Sequence, residues 1–128
     1  MNPDLIQFEG FLTDKGSKYA VSGAKVSNRI EANAVLKALT RKKKYAKATH
    51  NTWAVLMTSD GQHTPLKNDD GESGAGMVIL RMLEREELYN HMIIVTRWYG
   101  GTKLGGDRFR HVQTSVRRYL DNVDLTDA

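Results

Sequence analysis

The sequence predicts an α+β fold, a two-layer sandwich with three helices on one face of a four-stranded sheet. Two observations carry that reading. Short β-rich segments alternate with amphipathic ones in the order β-β-α-β-α-β-α, which favours helices segregated against a small sheet. The chain has 128 residues, the size of one compact domain, so residues 1–128 are read as a single unit.

The segments "LIQFEGFL" (5–12) and "SKYAVSGA" (17–24) alternate imperfectly around the turn-forming "TDKG" and predict a β-hairpin. "SNRIEANAVLKALTRKKK" then sets Ala32, Val35, Leu36 and Leu39 on one helical face. Ser27 or Asn28 can cap its start, and the lysines near its end suit the helix dipole. "HNTWAVLM" (50–57) is rich in β-formers and predicts a third strand. The polar "TSDGQHTPLKNDDGESG" (58–74) carries turn residues throughout and is read as a long loop. A second helix follows over "AGMVILRMLEREEL" (75–88), with Ile79, Leu80, Met82 and Leu83 on its apolar face. "HMIIVTRW" (91–98) is the strongest strand signal. After a glycine-rich loop, Asp107 can cap a third helix whose Phe109, Val112, Val116, Tyr119 and Leu120 share one side.

Composition narrows the function classes. With 40% hydrophobic and 27% charged residues, the chain is unlike a disordered segment. Apolar runs such as that around Met92–Val95 are too short to span a membrane. "MNPDLIQFEG" lacks the basic start and long apolar core of a signal peptide. The absence of cysteine excludes a disulfide framework and thiolate chemistry, and fits a reducing cytoplasm. The net charge of +4 favours encounters with phosphate-rich or acidic partners. That charge is uneven. "KALTRKKKYAK" (37–47) has six basic residues and no acid, and Arg108, Arg110, Arg117 and Arg118 load the last helix. Acids gather in "NDDGE" (68–72), "EREE" (84–87) and the tail "DNVDLTDA".

Two loops share one design, with glycines and charges directly ahead of a helix: "DDGESGAG" (69–76) and "YGGTKLGGD" (99–107). Free N–H groups at a helix start favour an anion, and glycine lets them approach it closely. Lys103 and Arg108 would add positive charge, with Arg97 just before the second loop. Neither phosphate-loop nor dinucleotide spacing is matched, so the anion signal is generic. Glycines that serve only sharp turns and helix packing explain the pattern equally well. Gly105 and Gly106 fit that plain reading, whereas Gly100 and Gly101 beside Lys103 fit it less easily.

Asp69, Asp70 and Glu72 are hard oxygen donors that could hold Mg²⁺. Ordinary turn and capping chemistry is the preferred reading of the same cluster, and Asp69 or Asp70 can also pair with Lys103 or Arg97. His50, His63, His91 and His111 show no metal-ligand spacing, and no nucleophile signature is present. The run Arg41–Lys44 is most simply a solvated helix end. Joined with Tyr45, Trp98, Tyr99 and the last-helix arginines, it also makes a nucleic-acid footprint of charges and stacking rings.

"ATHNTWAVLM", "DDGESGAG" and "IIVTRWYGGTKLGGDRF", in that order and spacing, resemble the IMPACT (YigZ-like) family over about Lys18 to Leu120. The matching positions are His50, Asn51, Asp69, Asp70, Gly71, Glu72, Gly76, Arg97, Gly100, Gly101, Lys103, Leu104 and Gly105. The resemblance implies a two-layer β-α-β fold like the ribosomal-protein and GHMP-kinase superfold. It also implies a link to translation control and stress responses. Eukaryotic members restrain an amino-acid-starvation kinase by competing for its ribosome-associated activator, and nucleic-acid or ribosome binding is the usual suggestion for bacterial ones. Here the acidic loop continues as the shorter "SGAG", and "GDRFRHV" is closer to the eukaryotic form. The sequence shows neither the extra N-terminal domain of eukaryotic members nor the C-terminal domain of long bacterial ones.

The expected function is therefore binding to RNA, the ribosome or a translation-associated protein. Arg97, Lys103 and Arg108 would contact phosphates, Gly100, Gly101 and Gly105 would supply backbone donors, and Asp69, Asp70 and Glu72 would order the neighbouring loop. No catalytic residue, cofactor or membrane contact is expected, and the oligomeric state is left open. The alternatives are a Mg²⁺-dependent enzyme acting on a phosphorylated small molecule or nucleotide, and a protein-interaction module.

Overall fold

The computed structural model describes residues 3–125. In chain order its elements are β1 (Ile6–Asp14), β2 (Ser17–Lys25), α1 (Arg29–Arg41), α2 (Lys43–Ala46), β3 (His50–Ser59), β4 (Gln62–Asn68), α3 (Ala75–Arg85), β5 (His91–Trp98) and α4 (Asp107–Asn122). One antiparallel sheet runs β1-β2-β5-β3-β4. The fold is α+β as expected, with five strands and four helices rather than four and three.

The extra strand, β4, lies in the stretch read as a loop. Asp60 and Gly61 take φ of 52° and 78°, the left-handed pair that closes a two-residue hairpin matched to strand twist. Every residue of β4 except Leu66 is exposed, and Pro65 sits within it. A polar edge strand carries no hydrophobic alternation, so periodicity gives no sign of it.

The helices also lie on both faces of the sheet. Successive strand side chains point to opposite faces. Tyr19, Val21, Ala54, Leu56, Ile93 and Val95 pack with α3 and α4. Ala20, Ala24, Trp53, Val55, Met92 and Ile94 pack with α1 and with Tyr45 of α2. Central strand β5 is buried along seven of its eight residues, as a strand covered on both sides must be. The continuous apolar run in "HMIIV" is the sequence form of that double burial.

Asn28 caps α1 by accepting the Glu31 N–H at 2.9 Å. Glu31 reaches back to the Ser27 N–H and hydroxyl, each at 2.7 Å, a reciprocal arrangement that satisfies orphan donors. The lysine run does not continue α1: Lys42 is extended, and the single turn α2 then folds Tyr45 into the core. Asp107 does not cap α4 but occupies its first turn, behind Gly106, which makes no side-chain cap. The last three residues of the acidic tail, and the first two residues of the chain, lie outside the described residues. Among the described residues no helix is long and apolar enough to cross a membrane.

One buried polar pair ties α4 to the sheet. His91 Nε2 lies 2.6 Å from the Tyr119 hydroxyl, and the Tyr119 ring fills the space beside Gly23, where a Cβ would come within 2.3 Å of it. Burial, with the charge of Lys25, pushes His91 down from 6.5 to about 4. Below pH 6.5 the unfolded chain therefore takes up a proton that the native chain refuses until about pH 4. Stability contributed by neutral His91 is full above pH 6.5 and is lost as pH falls through that window. Urea unfolding of the native chain is expected to weaken from pH 7 to pH 5, by on the order of 2 kcal/mol from this group. His91→Gln should flatten the dependence; an unaltered slope in that variant would assign it elsewhere.

Candidate functional site

The two glycine-rich loops meet at Glu72. Arg97 of β5 is in register with Tyr19 of β2 and His50 of β3, so all three side chains face the α4 side of the sheet end. Glu72 and Arg97 are only 2% and 4% exposed. Arg97 Nη1 donates to both Glu72 carboxylate oxygens at 3.1 Å. Arg108, in the first turn of α4, reaches Oε1 of Glu72 at 3.4 Å, and His50 Nε2 lies 3.7 Å from Oε2. Arg97 Nη2 also sits 3.5 Å from the Ser17 hydroxyl, whose oxygen accepts the Gly100 N–H at 3.1 Å. One buried carboxylate thus gathers β2, β3, β5, the 69–76 loop and the start of α4.

The other two acids fold their own loop. Asp69 accepts the N–H of Gly74 at 2.9 Å and of Gly76 at 2.8 Å, so it serves the uncapped start of α3. Those backbone bonds hold its carboxyl below the usual range. A Cβ at Gly76 would lie 2.7 Å from Asp69 Oδ1, which accounts for the glycine there. Asp70 accepts the Asn51 N–H at 2.7 Å, and its carbonyl accepts from His50 Nδ1 at 2.8 Å. Gly71 has φ of 86°, with the His50 ring 3.1 Å from where a Cβ would stand. Asn51 bridges onward, donating to the Tyr45 carbonyl at 3.1 Å and accepting from Thr96 at 2.8 Å.

These contacts correct two expectations. The acid of this loop that meets the cations is Glu72, paired with Arg97 and Arg108, and not Asp69 or Asp70. The oxygens of Asp69, Asp70 and Glu72 are aimed at different partners, and the described residues hold no group of three metal-ligating side chains. A Mg²⁺ site on this triad therefore does not fit the donor set.

In the second loop, Gly100 packs on the β1–β2 turn so closely that a Cβ would lie 2.0 Å from the Gly16 carbonyl carbon. No side chain is possible there without moving one backbone. Gly101 and Gly105 have open space around them and positive φ, so they serve the turn. Leu104 is buried and pins the loop to the core beneath α3 and α4. Lys103 is exposed and makes no hydrogen bond or ion pair among the described residues. The Arg108 side chain is one-third exposed, at 33%. Arg97, expected to touch phosphate, is buried and committed to Glu72, so its role is to anchor rather than to contact.

Sequence reasoning passed over Ser17, Tyr19 and Asp14, the partner of His111. His111 Nε2 lies 2.8 Å from Asp14 Oδ2, and its ring stands 5.3 Å from that of Tyr19. The Tyr19 hydroxyl and Arg97 Nε are buried without a hydrogen-bond partner among the described residues. The pairing of β2 with β5 brings Ser17 and Tyr19 to Arg97, α4 sets His111 against Tyr19, and their spacing in the chain carries no motif.

Breaking a buried ion pair from one side leaves the other charge uncompensated. Glu72→Gln is expected to destabilise the native state by about 3 kcal/mol in urea unfolding at pH 7. Lys103→Ala, at an exposed and unpaired position, should leave the midpoint unchanged. Equal midpoints for Glu72→Gln and the native chain would show that Arg97 finds another counter-charge.

Comparison with known proteins places this geometry. The model of the Impact N-terminal domain matches residues 15–120. Protein IMPACT-B of Xenopus tropicalis is 36% identical over 126 residues, covering 97% of this chain and 40% of that protein. Protein IMPACT of Homo sapiens is 36% identical over 119 residues, covering 91% of this chain and 37% of that protein. This chain therefore spans less than half the length of those relatives. Among solved structures, one described as a hypothetical protein shares the fold, with a TM-score of 0.80 at 23% identity over 97% of this chain and 63% of that one. The two-domain translational regulator Yih1 matches with a TM-score of 0.54 at 30% identity over 93% of this chain and 45% of that one. The match takes in both glycine loops and the buried Glu72–Arg97 pair between them, and the chain belongs to the family of the Impact N-terminal domain.

Proposed function

We propose that this chain acts in translation control, and in the stress responses linked to it, by docking on RNA of the translation machinery through the 100–108 loop. The observation that carries the proposal is Lys103, an exposed, unpaired cation on a loop whose backbone is fixed from beneath by Leu104 and Gly100. Beside it the first N–H groups of α4 are taken up by the loop's own carbonyls, Asp107 on Leu104 at 3.2 Å, Arg108 on Gly105 at 3.4 Å and Phe109 on Gly106 at 3.3 Å. A phosphate would therefore be met by the Lys103 and Arg108 side chains, with the helix dipole behind them. Arg108 can turn from Glu72 toward a phosphate, because Arg97 remains to neutralise the buried carboxylate. Phosphate contacts of this kind position a protein on RNA without reading sequence. The kinship with a protein described as a translational regulator supports the same setting, which implies a cytoplasmic location. The Mg²⁺-enzyme alternative gains no support from the donor geometry.

Anisotropy titrations of a structured RNA across a salt series test this. Lys103→Ala should weaken binding and reduce the log–log salt slope by about one. An unchanged slope would remove Lys103 from the contact. A partner still captured after nuclease treatment, with no RNA binding in the native chain, would move the function to a translation-associated protein.

A further inference from the structure

A second surface adjoins the glycine loop. A groove of about 800 Å³ runs beside the β1–β2 hairpin and the end of β5, and its lining includes Glu9, Gly16, Lys18, Lys44, Trp98 and Tyr99. Gly16 is the residue on which Gly100 packs, so the groove continues directly into the 100–106 loop. We propose that this groove is a single-stranded RNA subsite, in which an unpaired base stacks on Tyr99 while lysines flank its backbone. The proposal rests on the RNA-docking reading and extends it from phosphate contact to base contact.

Three features point to this occupant. Tyr99 is 48% exposed although it directly follows the most buried strand of the sheet. Its backbone N–H is held by the Thr49 hydroxyl at 2.9 Å, and one ring face is backed by the Arg97 guanidinium at 5.7 Å. The ring is thus presented at a fixed place, and little ordering remains to be done when a flat partner arrives. Trp98 is equally fixed. Its indole N–H donates to the Lys44 carbonyl at 3.0 Å, its ring stands edge-on to Tyr45, and the Lys44 ammonium lies 5.3 Å above it.

The charge lining the groove is the second half of the argument. Glu9 is its one acid, and that carboxylate is already engaged by the Tyr45 hydroxyl and by Lys44 at 3.3 Å. Lys18 and Lys44 line the groove, and Lys42, Lys43 and Lys47 stand exposed on and around α2. An aromatic platform bordered by cations matches the way single strands are held, with rings for bases and charge for the backbone. A duplex would present only its phosphates, since its bases are already stacked.

The test uses a labelled adenosine hexanucleotide and a blunt RNA duplex, each titrated by anisotropy across a salt series. Tyr99→Ala should weaken hexanucleotide binding about tenfold with the salt slope unchanged, because a stacking contact and no phosphate contact is lost. Tyr99→Phe should bind as the native chain does, and duplex binding should not respond to either variant. Lys44→Ala should lower the single-strand slope by about 0.7. Trp98 emission should change on saturation, the second tryptophan, Trp53, being buried. If Tyr99→Ala binds the hexanucleotide normally while Lys103→Ala is weakened, the groove is not a subsite and the loop reading survives. Equal losses on hexanucleotide and duplex would make Tyr99 a structural residue and overturn the subsite. Failure of the native chain to bind any RNA would overturn both readings.

Discussion

The buried pair of Glu72 and Arg97 is the constraint on which the arrangement of this surface depends. Two opposite charges lie out of water, each less than one-twentieth exposed. Desolvation of such a pair costs several kcal/mol per ion and is offset only when geometry is good and further hydrogen bonds are made. Here two equal contacts join Arg97 to Glu72, while Arg108 and His50 approach the same carboxylate from α4 and β3. Its contribution is better described as fixing geometry than as adding stability. A carboxylate that must find Arg97 dictates where residues 69–76 run, and an arginine that must find Glu72 dictates how β5 ends.

The division of labour among the polar residues follows from that. Asp69 and Asp70 accept backbone N–H groups, so their side chains order the acidic loop. Gly100 brings the second loop against the β1–β2 turn, and Leu104 pins its middle. With the inner charges paired, the cations that face water around this surface include Lys103, the outer part of Arg108, Lys18 and the lysines around α2, of which Lys44 also meets Glu9. Their field falls off over a Debye length of roughly 8 Å at physiological salt, so they act on partners that come into contact. The exposed Tyr99 ring sits between these two cationic regions.

Much of the fold was legible in the chain because its central elements carry strong local signals. "HMIIVTRW" matched β5 at both ends, and the Ser27–Glu31 stretch contained the cap that starts α1. What escaped notice lacked such signals. β4 is polar apart from Pro65 and Leu66, and only Asp60–Gly61 announced it. The burial of α1 and α2 on the opposite face was implicit in the unbroken apolar run of β5, yet a period-two strand pattern does not say which helix covers which side. In the site, the glycine loops and their charges were found by motif. Which acid meets which cation was settled by register: Arg97 lies opposite His50 and Tyr19, and the loop turns Glu72, not Asp69 or Asp70, toward it. Ser17 joins the site only through the long-range pairing of β2 with β5, 80 residues from Arg97 in sequence.

Native-state hydrogen exchange on Glu72→Gln tests the central claim most directly. The informative amides are Asn51, Gly74 and Gly76, bonded within the acidic loop, and Tyr99 and Gly100, bonded at the start of the glycine loop. If the buried pair holds the two loops as one unit, protection at both sets falls together when Glu72 is neutralised, beyond any fall in the core of β5. Loss confined to Asn51, Gly74 and Gly76, with Tyr99 and Gly100 following the core, would show two independent loops and contradict the account.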